Sequence, residues 1–126
     1  MAAMVQTSSM SEPRPRPLLV ACLCAAWCRT CDDYRSTFNA LQSEFAARTR
    51  FVWVDIEDDE AALGEVDVVD FPTLLLAAGD AIAFYGPVLP HAQAARQLIE
   101  RALSGQLGAV HDAALAGLPA RIKALR

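Results

Sequence analysis

Leu18-Leu19-Val20-Ala21-Cys22-Leu23-Cys24-Ala25-Ala26-Trp27-Cys28-Arg29-Thr30-Cys31 decides how this chain folds, because an apolar run ends there in two thiols three residues apart. The run from Leu18 to Cys24 reads as a buried strand, and Tyr34, Phe38, Leu41 and Phe45 then recur at helical spacings of four, three and four. A helix therefore starts at or just before Cys28. Its first N–H groups lack intrahelical partners and carry partial positive charge, which stabilises a thiolate at Cys28. The thiolate is the attacking form. Cys31, one turn further on, can close a ring with Cys28 and expel whatever Cys28 holds as a mixed disulfide. Spacing alone leaves an inert pair or half of a metal site open; the strand-to-helix setting favours redox chemistry.

Composition sets the outer bounds. A chain of 126 residues, 54% of them hydrophobic, supports one modest domain. The formal charge of −4 provides no electrostatic footprint for nucleic acid. The longest strongly apolar run, Leu18 to Trp27, is far shorter than the roughly 20 residues of a spanning helix. Arg14 and Arg16 precede that run, and Leu19-Val20-Ala21-Cys22 imitates a lipoprotein cleavage box. Only Leu18 to Ala21 stand between Pro17 and Cys22, against the roughly 7–15 apolar residues of a secretory core, so a strand is the better account. The expectation is a cytoplasmic protein, where paired cysteines are catalytic or metal-binding rather than structural.

Along the chain, residues 1–17 end in Pro13-Arg14-Pro15-Arg16-Pro17 and read as a flexible, extended lead-in. Phe51 to Ile56 is a second apolar run, closed by Glu57-Asp58-Asp59-Glu60. Those acids suit the solvated start of a short helix through Ala61, Ala62, Leu63 and Val66, since a Ca²⁺ loop needs alternating ligands with a central Gly. Phe71-Pro72-Thr73 leads into Leu74-Leu75-Leu76-Ala77, and Ala78-Gly79-Asp80 turns this strand into Ala81 to Tyr85 as a hairpin. Gly86-Pro87 breaks the second strand. Pro90 suits a helix start, and Ala94, Ala95, Leu98, Ile99, Ala102 and Leu103 form the buried stripe of that helix. A weaker helical pattern runs through Leu115, Leu118, Ile122 and Leu125.

This order of elements, with Trp-Cys-x-x-Cys opening the first helix and a Pro before the third strand, resembles the thioredoxin family. Trp27 to Cys31 matches its redox motif, Phe71-Pro72-Thr73 its cis-proline segment, and Tyr85-Gly86 the glycine after its last strand. The resemblance implies an α/β three-layer sandwich: a central mixed sheet of four to five strands, flanked by helices. The domain is expected over residues 18–105, with residues 106–126 a C-terminal helical extension. It further implies that Pro72 is cis and lies against the thiols, with Trp27, Phe71 and Pro72 forming the substrate-binding surface. A docked peptide would pair with main chain beside Phe71 and present its disulfide to Cys28. The expected activity is thiol–disulfide exchange on protein disulfides, as a reductant. Cys28 attacks, Cys31 resolves, and a reductase or small thiol supplies electrons. No organic cofactor is implied beyond a redox-active Cys28–Cys31 disulfide, and no nucleic-acid or membrane partner.

Several residues depart from the family pattern. Cys22 stands where the family usually has a buried carboxylate, so the proton acceptor that helps activate the resolving thiol is missing, and an apolar setting raises a thiol pKa. Arg29 and Thr30 replace the common Gly-Pro between the cysteines. Arg29 favours a nearby thiolate while Asp32 opposes it, which leaves the sign of the net shift in potential open. Cys22 and Cys24, two apart on a strand, point to one face and can look toward the helix of Cys28. Small buried cysteines are the expectation for both, ahead of a four-thiol zinc or iron–sulfur site, and no metal ligand is assigned. With no strand and helix ahead of Leu18, Phe51–Ile56 is expected at a sheet edge. Either Ala3 to Thr7 adds a fifth strand there or two chains meet through that edge, and the helical tail from Ala109 either caps the core or mediates dimerisation. His91 and His111 read as surface residues. A thioredoxin-like binding module with slow or no turnover is the alternative function.

Overall fold

The computed structural model describes residues 17–125. The proline-rich lead-in and the proposed Ala3–Thr7 strand lie outside the described residues, apart from Pro17. Strand β1 spans Leu18–Cys24, helix α1 Arg29–Glu44, β2 Thr49–Asp55, α2 Glu60–Leu63, β3 Thr73–Ala78, β4 Ala81–Pro87, α3 Ala92–Leu103 and α4 Leu118–Lys123. The strands form one mixed sheet in the order β2-β1-β3-β4. β1 runs parallel to β2, from Leu18 opposite Thr49 to Cys24 opposite Asp55. It runs antiparallel to β3, with Cys22 opposite Leu74 and Leu23 opposite Thr73.

Every residue of β1 is buried, because helices cover both faces of the sheet. Alternation sorts its side chains into two cores. Leu18, Val20, Cys22 and Cys24 pack with Leu74 and Leu76 against Tyr34, Phe38 and Leu41 of α1 and Ala95 and Ile99 of α3. Leu19, Ala21 and Leu23 pack on the other face with Val52, Val54, Leu75 and Ala77. That second face is closed by Leu63 of α2 and by Leu115, Leu118 and Ile122. The C-terminal segment thus lies on the sheet of its own chain. Arg121 fastens it there, with Nε donating to the Ala62 carbonyl at 2.7 Å, and Arg50 donates to the Lys123 carbonyl at 2.8 Å.

Local chemistry explains the element ends. Asp55 Oδ1 accepts from the N–H groups of Glu57 and Asp58 at 2.9 and 3.0 Å, and Asp59 Oδ2 accepts from the Asp55 N–H at 3.0 Å, so Asp55 and Asp59 build the turn into α2. Gly79, at φ 63°, supplies the left-handed residue of the β3–β4 hairpin. β4 continues through Gly86 to Pro87 rather than breaking before them: it is an edge strand, where a terminal proline leaves no essential ladder bond unmade. α3 begins at Ala92 with His91 as its N-cap, two residues later than Pro90 suggested. His91 and His111 are both exposed.

β2 is the other edge of the described sheet. Its aromatic residues do not lie bare. The Phe38 ring meets Phe51 at 4.9 Å and Trp53 at 5.6 Å between centroids, and the Arg35 guanidinium sits 4.6 Å from the centre of the Trp53 ring.

Candidate redox site

The thiols gather where β1 ends and α1 begins. A turn closed by Cys28 N–H donating to the Ala25 carbonyl at 3.1 Å carries the chain around, and the extended backbone of Cys28 caps α1. This brings Cys31, in the first turn of α1, over the sheet face that bears Cys22 and Cys24. Cys22, Cys24 and Cys31 are each 1% exposed or less, whereas Cys28 is half-buried.

Cys31 is joined to Cys24 by a disulfide, and Cys28 is a free thiol. This differs from the motif-based expectation of a Cys28–Cys31 bond, and it corrects the reading of Cys24 as merely a small buried residue. The reason is geometric. The side chain at the last position of β1 and the inward side chain of the first α1 turn converge, with Cα atoms 5.8 Å apart, inside the range a disulfide needs. Cys28, at the cap, is the outermost of the four.

Cys22 keeps its place behind this pair. Its Sγ lies 3.7 Å from Cys24 Sγ without bonding to it. Since Cys24 carries no hydrogen while in a disulfide, Cys22 is the donor in this contact. Burial pushes the Cys22 thiol far above its ordinary pKa, with the positive charge of Arg35 opposing. Tyr34 shares the pocket: its hydroxyl is buried and has no hydrogen-bond partner among the described residues. Burial raises the Tyr34 pKa, and the neighbouring Cys22 adds to the rise. Among the described residues no group of three or more His, Cys, Asp or Glu side chains is disposed to hold a metal ion.

The rim of the site is aromatic. Trp27 is 67% exposed and its ring stands edge-on to Phe71, 5.6 Å between centroids. The Phe71–Pro72 peptide bond is cis, and Pro72 is buried. Carrying the β1–β3 register one step past Leu23–Thr73 sets Pro72 opposite Cys24. Thr73 Oγ1 donates to the Asp70 carbonyl at 2.7 Å and braces the approach to this segment. Trp27, Cys28, Phe71 and Pro72 are therefore brought together around the thiols. Arg29 and Asp32 are exposed beside them, with no ion pair to another described residue, and Thr30 is half-buried.

The residue that motif reading undervalued is Cys24. The one available signal was its two-residue spacing from Cys22, which sets both side chains on the face toward α1.

A thioredoxin family model matches residues 8–99. In sequence the chain is 32% identical over 72 residues to a thioredoxin of Haemophilus influenzae, spanning 56% of this chain and 67% of the relative. Fasciola hepatica thioredoxin has the same fold, with a TM-score of 0.62 at 20% identity over 78% of this chain and 92% of that one. The germline-specific thioredoxin Deadhead of Drosophila melanogaster superposes at 0.61 with 14% identity, over 79% of this chain and 90% of its own. With a redox-competent cysteine cluster at the start of α1, beside a cis proline, the chain belongs to the thioredoxin family, whose general chemistry is thiol–disulfide oxidoreduction.

Proposed function

We propose that this protein reduces disulfides in protein substrates, with Cys28 as the attacking thiol and Cys31 as the resolving one, in a reducing cytoplasm. The observation that carries this reading is the position of Cys28: a half-buried free thiol at the N-cap of α1, with Trp27 and Phe71 in edge-to-face contact next to it. A peptide lying against Phe71 and Pro72 reaches Cys28 before any other thiol, since the remaining three are buried. Cys28 attacks one sulfur of the substrate disulfide, the other leaves as a thiolate, and Cys31 then displaces the mixed disulfide. A reductase or a small thiol returns the electrons, and the chemistry needs no organic cofactor. Insulin reduction in dithiothreitol tests this: the wild type shortens the lag before turbidity, and Cys28→Ser leaves it at the uncatalysed value. An unchanged lag with the wild type rejects the activity.

One observation favours a second reading. Cys31 engaged with Cys24, and a thiol rather than a carboxylate at position 22, fit a groove that binds partners through Trp27 and Phe71 while its cysteines turn over slowly. In that reading the lag is unchanged, while the groove still retains partners when Cys28 is replaced.

A further inference from the structure

Cys24 has no role in the two-cysteine cycle, yet it is the residue to which Cys31 is bonded. We propose that Cys24 is a third redox-active cysteine, a buried second partner for Cys31, so that a disulfide formed between Cys28 and Cys31 moves inward to Cys24 and Cys31 and leaves Cys28 free. This rests on the Cys28/Cys31 cycle proposed above and extends it by one step.

The geometry supplies two partners for one sulfur. Cys31 lies one helical turn from Cys28, where side chains three apart are neighbours, and its Cα is 5.8 Å from that of Cys24 across the strand–helix contact. In the added step the Cys24 thiolate attacks Cys31 Sγ. The Cys24–Cys31 bond forms, the Cys28–Cys31 bond breaks, and the bonding pair leaves on Cys28 Sγ, which takes up the proton that Cys24 gave up. One disulfide and one thiol enter and one of each leave, so no oxidant or reductant is consumed. The step is driven by where the thiol ends up: Cys28, at the half-buried cap, has access to solvent, while Cys24 is 1% exposed.

Cys22 makes the inner pair workable. Its protonated thiol donates toward Cys24 Sγ across 3.7 Å, and the same contact steadies negative charge on Cys24 while it attacks. Cys22 is thereby a positioning residue, and its high pKa keeps it a donor.

The consequence is a change in what Cys28 does. While Cys31 is bound to Cys24, Cys28 still attacks a substrate disulfide, but no resolving thiol is at hand and the substrate stays attached. Cys24 and Cys31 are both buried, so an external reductant reaches them only through the reverse exchange at Cys28. One chain then alternates between releasing and retaining its substrate according to how oxidised it is.

The test uses the reduced full-length protein, oxidised by a substoichiometric amount of insulin so that no substrate disulfide remains for Cys28 to capture, and quenched in acid. Free thiols are blocked with iodoacetamide under denaturing conditions, the disulfides are then reduced and labelled with N-ethylmaleimide, and the cysteines are read by fragmentation mass spectrometry. Expected is the maleimide label on Cys24 and Cys31 with iodoacetamide on Cys28. Maleimide on Cys28 and Cys31, with Cys24 blocked, overturns the inference and leaves the reductase reading intact. No maleimide on any cysteine, with insulin unreduced, rejects the reductase reading and the inference with it. A Cys24→Ala variant provides a separate readout under native conditions: the rapidly alkylated thiol of the oxidised protein falls from about one per molecule to about none, because Cys28 is then held by Cys31. An unchanged count of about one in that variant likewise overturns the inference.

Discussion

Replacing Cys22 with Asp places a carboxyl where the family resemblance implies one, and its consequence follows from the surroundings of position 22. Position 22 has no solvent exposure and lies between Trp53 and Leu74 in the sheet, 3.7 Å from Cys24 Sγ. Burial already drives the thiol pKa there upward against the pull of Arg35. A carboxyl in the same place meets the same desolvation, and a rise of about 3 units is a fair expectation for such a group. Its folded pKa then exceeds the unfolded value of about 3.9, so the folded state holds a proton that the unfolded state has lost. Stability therefore falls as pH rises from about 4 to about 7, at about 1.4 kcal/mol per unit, and flattens above that. Urea denaturation of the oxidised variant and wild type at pH 4.5 and 7.5 reads this directly: the variant's deficit grows by roughly 3 kcal/mol between the two. Release of a Cys28 mixed disulfide should quicken near neutral pH, because the carboxylate accepts the proton of the attacking thiol. A deficit equal at both pH values, or a release rate identical to wild type, refutes the reasoning: the first means a solvated or paired carboxyl, the second a position remote from the reacting sulfurs.

Replacing Cys31 with Ser should trap substrates on Cys28, since the first attack survives and the resolving one is lost; substrates recovered equally from a Cys28→Ser variant would assign the attack to another thiol. Leu118→Ala, at a fully buried residue of α4, should cost about 2–5 kcal/mol in urea denaturation, and a loss below about 0.5 kcal/mol would detach α4 from the core. In oxidised wild type, the raised Cys22 pKa means stability is lost as pH climbs above the unfolded thiol value of roughly 8.5. Cys22→Ala should remove about 1.4 kcal/mol per pH unit of that decline between pH 9 and 10, and an unchanged slope would mean that Cys22 ionises freely in the folded protein.

What could be read from the sequence was whatever a local period encodes. The run Leu18–Cys24, the stripe Tyr34, Phe38, Leu41 and the hairpin at Ala78-Gly79-Asp80 each announce themselves within a few residues, and each lies where expected. The Trp27–Cys31 turn and the Phe71–Pro72 segment were legible because their residue types are restrictive. The Cys24–Cys31 bond was not legible, since it joins the end of a strand to a helix turn seven residues on and no periodicity links the two. Likewise, whether Leu115, Leu118 and Ile122 cover their own sheet or another chain depends on which face β1 leaves uncovered. Only the three-dimensional arrangement decides that.

The complete burial of β1 has a kinetic side. A strand flanked by two others and covered on both faces gives up its amide hydrogens to solvent only when the whole molecule opens, so the amides of Cys22 and Cys24 belong with the slowest to exchange. Trp27 and Cys28, in the turn only a few residues away, are exposed and half-buried, and turns of this kind open on their own. The reaction centre thus straddles a steep boundary in mobility: its outer half can adjust to successive substrates while its inner half holds a fixed frame.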